Sequence, residues 1–170
     1  MKRMLVLGGC RSGKSRFAQE RCEAVASGDL AYVATAQAFD PEMEERIARH
    51  RSERGSRWLT IDAPMDLPSA LSEAALRADA VMVDCLTLWL TNLMLAEADL
   101  AKARTKLAEA IAACPLPVVL VSNEVGLGIV PDNVLARRFR DESGWLNQQM
   151  ATLCDEVILM AAGLPLRLKG

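Results

Sequence analysis

Residues 8–15 read Gly-Gly-Cys-Arg-Ser-Gly-Lys-Ser, a full match to the phosphate-loop pattern G-x-x-x-x-G-K-[ST]. No other stretch restricts the fold of the chain as much. A loop of this kind must leave a strand and open a helix, because its amides converge on phosphate oxygens with the positive end of the helix behind them. Glycine is needed where the backbone turns sharply and the anion comes close, since a Cβ would fill that space. The apolar run "RMLVL" supplies the strand, and the segment from Lys14 to Ala26 the helix. The amides of Gly9 to Ser15 can then point inward. Lys14 offers a point charge to the β- and γ-phosphates, and the Ser15 hydroxyl can ligate Mg²⁺.

The rest of the chain continues that alternation. Apolar runs predict strands over Arg3–Leu7, Leu30–Thr35, Trp58–Asp62, Ala80–Asp84, Val118–Ser122 and Glu156–Met160. Several are continuous rather than alternating, as strands covered on both faces should be. Between them, helical spacing predicts helices around Lys14–Ala26, Pro41–Arg54, Leu67–Ala78, Leu86–Ala96, Leu100–Ala113 and Val134–Leu153. The order implies the α/β class: a mostly parallel sheet with helices on both faces. The tail "LPLRLKG" is a candidate closing strand. With 170 residues and no repeat, low-complexity tract or linker, one domain over 1–170 is expected.

Composition narrows the function classes. A net charge of −2 gives no long-range field for a nucleic acid or an anionic membrane. Five cysteines (Cys10, Cys22, Cys85, Cys114, Cys154), odd in number and with no C-x-x-C pair, argue against structural zinc and a disulfide framework and fit a reducing compartment. The stretch before the phosphate loop is too short for a secretory signal, and the longest nonpolar run, Cys85 to Ala96, is too short to span a bilayer. A cytoplasmic protein without membrane insertion or nucleic-acid partner is the expectation.

Two acidic strand ends are candidates for the nucleotide site. Asp84 closes "AVMVDC", where a carboxylate could ligate Mg²⁺ beside Ser15 or simply cap the helix that starts near Leu86. Asp62 in "WLTIDA" could cap the next segment or accept from a ribose or base. The segment Val121–Asn133, "VSNEVGLGIVPDN", reads either as an ordered functional loop or as a plain connection. The helix around Trp89 is apolar nearly all round, which suits a central core position or a subunit contact.

The chemistry turns on one residue. A switch GTPase is disfavoured, since "NEVG" stands where a guanine motif would sit and the D-x-x-G match at Asp141–Gly144 lies inside a helical pattern. His50 is the sole histidine. On a helix, Arg46, His50 and Arg54 follow at i, i+4 and i+8. Alone, such a histidine reads as a surface residue among charges. Yet neighbouring positive charge disfavours protonation and keeps a ring nitrogen available for attack on phosphorus.

Several blocks together carry a resemblance: "LGGCRSGKSRFAQ", "YVATAQAFDPEMEERIARHR", "VDCLTLWLTNLM", "VLVSNEVGLGIVPDNVLARRFRDESGWLNQQMA" and "DEVILMAAGLPLRLK". In this order, over nearly the whole chain, they resemble the bifunctional adenosylcobinamide kinase / adenosylcobinamide-phosphate guanylyltransferase family of cobalamin biosynthesis. The resemblance implies a RecA-like P-loop fold and two activities. One phosphorylates the aminopropanol hydroxyl of adenosylcobinamide with GTP or ATP. The other transfers GMP from GTP to adenosylcobinamide phosphate, releasing pyrophosphate, with Mg²⁺ as the metal.

The resemblance also assigns residues. His50 would carry GMP as a covalent intermediate, with Lys14 as its catalytic partner at the phosphates. Nucleotide contacts fall on Gly8, Gly9, Cys10, Arg11, Ser12, Gly13, Lys14, Ser15 and Arg16, then on Ala34, Thr35 and Ala36. They continue on Arg51, Ser52, Glu53 and Arg54 and on Asp62 and Asp84, two places where the family often has glutamate. Ser15 and Asp84 would serve the metal. The family further implies a homo-oligomer with sites shared between subunits. A plain small-molecule kinase, an assembly or switch protein, and a non-catalytic binding module are the competing readings of the phosphate loop.

Overall fold

A central strand, β1 (Arg3–Gly8), has five of its six residues buried, as a strand flanked on both sides must. The computed structural model describes residues 2–37 and 54–170. After β1 come α1 (Lys14–Val25), β2 (Leu30–Ala34), β3 (Trp58–Asp62), α2 (Leu67–Arg77) and β4 (Ala80–Asp84). They are followed by α3 (Leu86–Leu95), α4 (Leu100–Ala113), β5 (Val118–Asn123), α5 (Val134–Leu153), β6 (Glu156–Ala161) and β7 (Leu164–Lys169). The six predicted strands and the five predicted helices that fall in the described residues are all present. The helix predicted over Pro41–Arg54 lies, but for Arg54, outside them.

One seven-stranded sheet runs in the order β3-β2-β4-β5-β1-β6-β7. All neighbours are parallel except β6 and β7, which form an antiparallel hairpin. The tail is therefore the closing strand the sequence suggested. Its turn places Ala162 at φ 52° and Gly163 at φ 79°, the left-handed pair that matches the twist of a tight hairpin.

Side-chain alternation divides the core by face. Leu5, Val33, Val83, Val118 and Leu120 point to one side, where α2, α3, α4 and α5 pack with Leu71, Trp89, Leu90, Leu107, Ile111 and Met150. Met4, Val6, Leu30, Met82, Val119 and Val121 point to the other, against Ala18 and Cys22 of α1. Each fully buried Leu or Ile contributes about 1.5–3 kcal/mol by leaving water.

Helix α3 belongs to this core. Leu86, Trp89, Leu90 and Leu93 are buried within the chain's own fold, and Leu95 at the helix end is exposed. Its few polar side chains serve as struts. Asn92 Nδ2 donates to the carbonyls of Thr35 and Pro64 at 2.9 Å each, and Trp89 Nε1 donates to Met65 O at 2.8 Å. These bonds pin the turns that follow β2 and β3. Among the described residues no helix is long and apolar enough to cross a membrane.

Candidate active site

The phosphate loop leaves β1 at Gly8 and enters α1 through Gly13, which caps the helix at φ 92° without any side-chain hydrogen bond. The first amides of α1 are thus left for an incoming acceptor, as an anion cradle requires. Two glycine positions are fixed by crowding. A Cβ on Gly8 would lie 2.5 Å from Ser12 Oγ and 2.6 Å from Met160 O, closer than atoms tolerate. Gly13 faces Gly163 across the loop, where a Cβ would sit 3.5 Å from the Gly163 Cα. The hairpin turn therefore braces the loop, and the Gly163 amide donates to Ser12 O at 3.1 Å.

Inside the loop, Lys14 is buried and its Nζ donates to Gly9 O at 2.7 Å, so the ammonium is held within the ring of amides. Ser12 is buried as well, and its Oγ has no hydrogen-bond partner among the described residues. A buried hydroxyl in that state calls for a polar ligand. The cradle, the enclosed lysine and the orphaned hydroxyl together fit a phosphate chain.

The acidic candidates are placed by register. Ala34 pairs with Asp62 on one side and with Asp84 on the other, so the three stand in one row at the carboxyl ends of β3, β2 and β4. Two strand spacings separate Asp84 from β1 in steps of about 4.8 Å, some 10 Å in all. Asp62 lies four steps away, about 19 Å from β1. Asp84 shares a face with Met82, which packs on α1, the helix that carries Ser15. A metal held by a triphosphate at the loop is within reach of Asp84. Asp62 is within reach only of the far end of a nucleotide.

Among the described residues no group of three or more His, Cys, Asp or Glu side chains could hold a metal without help. This suits Mg²⁺, which takes one or two protein oxygens and completes its shell from phosphates and water. Ser15 and Asp84 are the residues here that fit that demand.

The turn after Asp84 is fixed from β2. Thr35 is buried, with its Oγ1 donating to Cys85 O at 2.7 Å and accepting from Cys85 N at 2.8 Å. The Thr35 amide donates to Asp84 O at 3.3 Å, and Ala63 N donates to Ala34 O at 2.8 Å. The side chain of Thr35 is thus committed within the protein, while Ala36 stands half-buried at the rim. The Cys85 thiol is raised to about 11, first by burial and then by the charge of Asp84.

Three features went unread in the sequence. Tyr32 donates from its hydroxyl to Asp84 Oδ2 at 3.2 Å, and burial, then the Asp84 charge, push its phenol far above the ordinary range. Arg54 stacks its guanidinium 3.5 Å over the Tyr32 ring. At the end of β5 a buried polar set forms. Ser122 Oγ donates to Asn147 Oδ1 at 2.7 Å, the Asn123 amide donates to Thr87 Oγ1 at 2.7 Å, and the Glu124 amide donates to Gly8 O at 3.1 Å. The signals were present: Tyr32 stands two residues before Ala34 on a period-two strand, and "SN" ends an otherwise apolar run.

The segment after β5 is tied down by α5. Arg137 Nη1 donates to the carbonyls of Pro131 and Asp132, and Arg140 Nη2 donates to Gly126 O. Leu127, Ile129, Val130, Val134 and Leu135 are nonetheless exposed. His50, Arg51, Ser52 and Glu53 lie outside the described residues.

Comparison with known proteins agrees with this geometry. The family described as cobinamide kinase / cobinamide phosphate guanyltransferase matches residues 4–168. The bifunctional adenosylcobalamin biosynthesis protein CobP of Pseudomonas aeruginosa is 48% identical over 170 residues, covering 99% of this chain and 98% of its own. CobU of Salmonella typhimurium, of the same description, is 38% identical, covering 98% and 99%. CobU of Escherichia coli is 37% identical, covering 98% and 99%.

Two solved structures share the fold alone. The flagellar accessory protein FlaH from Methanocaldococcus jannaschii has a TM-score of 0.51 at 14% identity, covering 99% of this chain and 78% of that one. A second, solved as an isolated ATPase domain, has 0.53 at 12% identity, covering 93% and 68%. The fold is that of the P-loop NTPases. With its phosphate loop, its strand-end carboxylate and a match over nearly its whole length, the chain belongs to the cobinamide kinase / cobinamide phosphate guanyltransferase family.

Proposed function

We propose that this chain carries out both reactions of its family at one phosphate loop, and that GMP travels on His50. The kinase reaction moves the γ-phosphate of GTP or ATP to the aminopropanol hydroxyl of adenosylcobinamide. It needs no covalent residue: positioning by Gly8–Ser15 and charge neutralisation by Lys14 carry it. The observation that carries the reading is the loop itself, an enclosed lysine and an unpartnered Ser12 hydroxyl on the sheet face shared with Asp84.

In the guanylyl transfer, a neutral ring nitrogen of His50 attacks the α-phosphorus of GTP. The new N–P bond forms as the bond to the bridging oxygen breaks, and pyrophosphate leaves toward Lys14 and the loop amides. A phosphate oxygen of adenosylcobinamide phosphate then attacks the same phosphorus. The P–N bond breaks, adenosylcobinamide-GDP is released and the imidazole is restored. Mg²⁺, held by Ser15 and Asp84 together with the phosphates, offsets negative charge in both reactions. Nucleotide contacts also come from the backbone of Ala34, Thr35 and Ala36, from Arg51, Ser52, Glu53 and Arg54, and from Asp62 at the base or ribose end.

The chain acts in the cytoplasm as a homo-oligomer. Support for self-association comes from the exposed Leu127, Ile129 and Val130 in the segment after β5 rather than from α3, whose apolar side chains are used in the core. One incubation with adenosylcobinamide and GTP, following the γ- and α-phosphates separately, tests the reading. Both labels should reach the corrinoid product. Transfer of the γ-label alone would reduce the protein to a plain kinase, and free phosphate without an acceptor would make it a hydrolytic switch.

A further inference from the structure

Tyr32 has no part in the chemistry set out so far, yet it touches the one carboxylate assigned to the metal. Strand geometry brings the two together. Tyr32 pairs in register with Met82, and Asp84 lies two residues further along β4 on the same face. That makes Asp84 the diagonal neighbour of Tyr32, a separation an aromatic side chain can bridge. The hydroxyl donates to Asp84 Oδ2 at 3.2 Å, and among the described residues it is the one side-chain donor to that carboxylate.

The ring is itself held in place. The guanidinium of Arg54 lies 3.5 Å over its centroid, and Arg54 Nη2 reaches Thr60 Oγ1 at 3.5 Å. The edge contact with Trp58 spans 6.3 Å between centroids at 77°, and Trp58 Nε1 donates to Glu23 Oε1 at 2.9 Å. Tyr32 is therefore a fixed donor, not a side chain that happens to reach the acid.

We propose that Tyr32 is a positioning residue, which holds the Asp84 carboxylate at the strand end in the orientation that Mg²⁺ requires. The inference rests on the reading of Asp84 as a metal ligand. Aspartate at a strand end turns about two side-chain bonds, and a metal ion that must first arrest that rotation binds more weakly. With one oxygen held by Tyr32, the carboxylate meets the metal already oriented. Arg54 acts through the ring, by fixing the plane from which the hydroxyl points.

The test uses Mn²⁺ in place of Mg²⁺, titrated by electron paramagnetic resonance into the intact protein with GDP bound. Fluorescent GDP binding without metal is measured in parallel. Tyr32→Phe should weaken Mn²⁺ about three- to tenfold while leaving metal-free GDP affinity within about twofold and the unfolding midpoint nearly unchanged. Asp84→Asn should weaken Mn²⁺ at least as much. If Asp84→Asn weakens Mn²⁺ and Tyr32→Phe does not, positioning by Tyr32 is overturned and the metal role of Asp84 stands. If neither change affects Mn²⁺, Asp84 is not a ligand and both fall together.

Discussion

The Thr35 hydroxyl clasps the backbone of Cys85 from both sides, donating to its carbonyl at 2.7 Å and accepting from its amide at 2.8 Å. Through this clasp the end of β2 fixes the turn that follows Asp84. Thr35→Val keeps the shape and removes both bonds, leaving the buried Cys85 amide without its acceptor. The loss should be about 1–3 kcal/mol in urea unfolding. Thr35→Ser, which keeps the hydroxyl, should lose less than half of that.

Lys14 is the one cation held inside the loop ring, by its bond to Gly9 O. If a single phosphate loop serves both reactions, Lys14→Ala should reduce kinase and guanylyl transfer alike, each by about a hundredfold or more. Stability should change little, because the lysine supports a cradle rather than the core. Separate assays of the γ- and α-phosphate reactions check this. A loss confined to one of them would show that the two do not share the loop.

The thiols offer a pH-dependent readout. Burial first of all raises Cys22 and Cys154 to about 12 and Cys85 to about 11, and Cys114 is buried too. A group whose pKa is raised stays a neutral thiol until the pH nears that value. At pH 8 the three raised cysteines hold no more than about one part in a thousand as the reactive thiolate. Cys10 in the phosphate loop is exposed. Ellman's reagent at pH 8 should therefore find one fast thiol and four slow ones in the folded protein. GTP with Mg²⁺ should slow the fast one, because the triphosphate covers the loop.

The brace from the β6–β7 hairpin predicts a gain. Ala162 adopts φ 52°, which costs an alanine about 1 kcal/mol and an asparagine much less. Ala162→Asn should raise stability by about 0.5–1 kcal/mol, read as a higher unfolding midpoint. Nucleotide affinity should not change, since the Gly163 amide still donates to Ser12 O.

How much of this the sequence disclosed depends on the range of the interactions. The phosphate loop and its flanking elements were legible because eight consecutive residues carry the whole signal. Strands such as Ala80–Asp84 were legible because burial on both faces writes a continuous apolar run. Helix α3 kept two meanings, core or interface, since an all-apolar helix looks the same in either setting; packing placed Leu86, Trp89 and Leu90 in the core. The partners of Asp84 were not legible. Tyr32 lies 52 positions away and becomes its neighbour only through the pairing of β2 with β4. The contact between Gly163 and Ser12 likewise needs a hairpin folded back from the far end of the chain.

The account depends most on His50 as the carrier of GMP. GTP with a radioactive α-phosphorus, mixed with the protein and Mg²⁺ and then quenched, measures this directly. A label that is lost in acid, survives base, and disappears in His50→Ala while the kinase reaction persists is the predicted result. An equally strong label on the His50→Ala protein would contradict the claim.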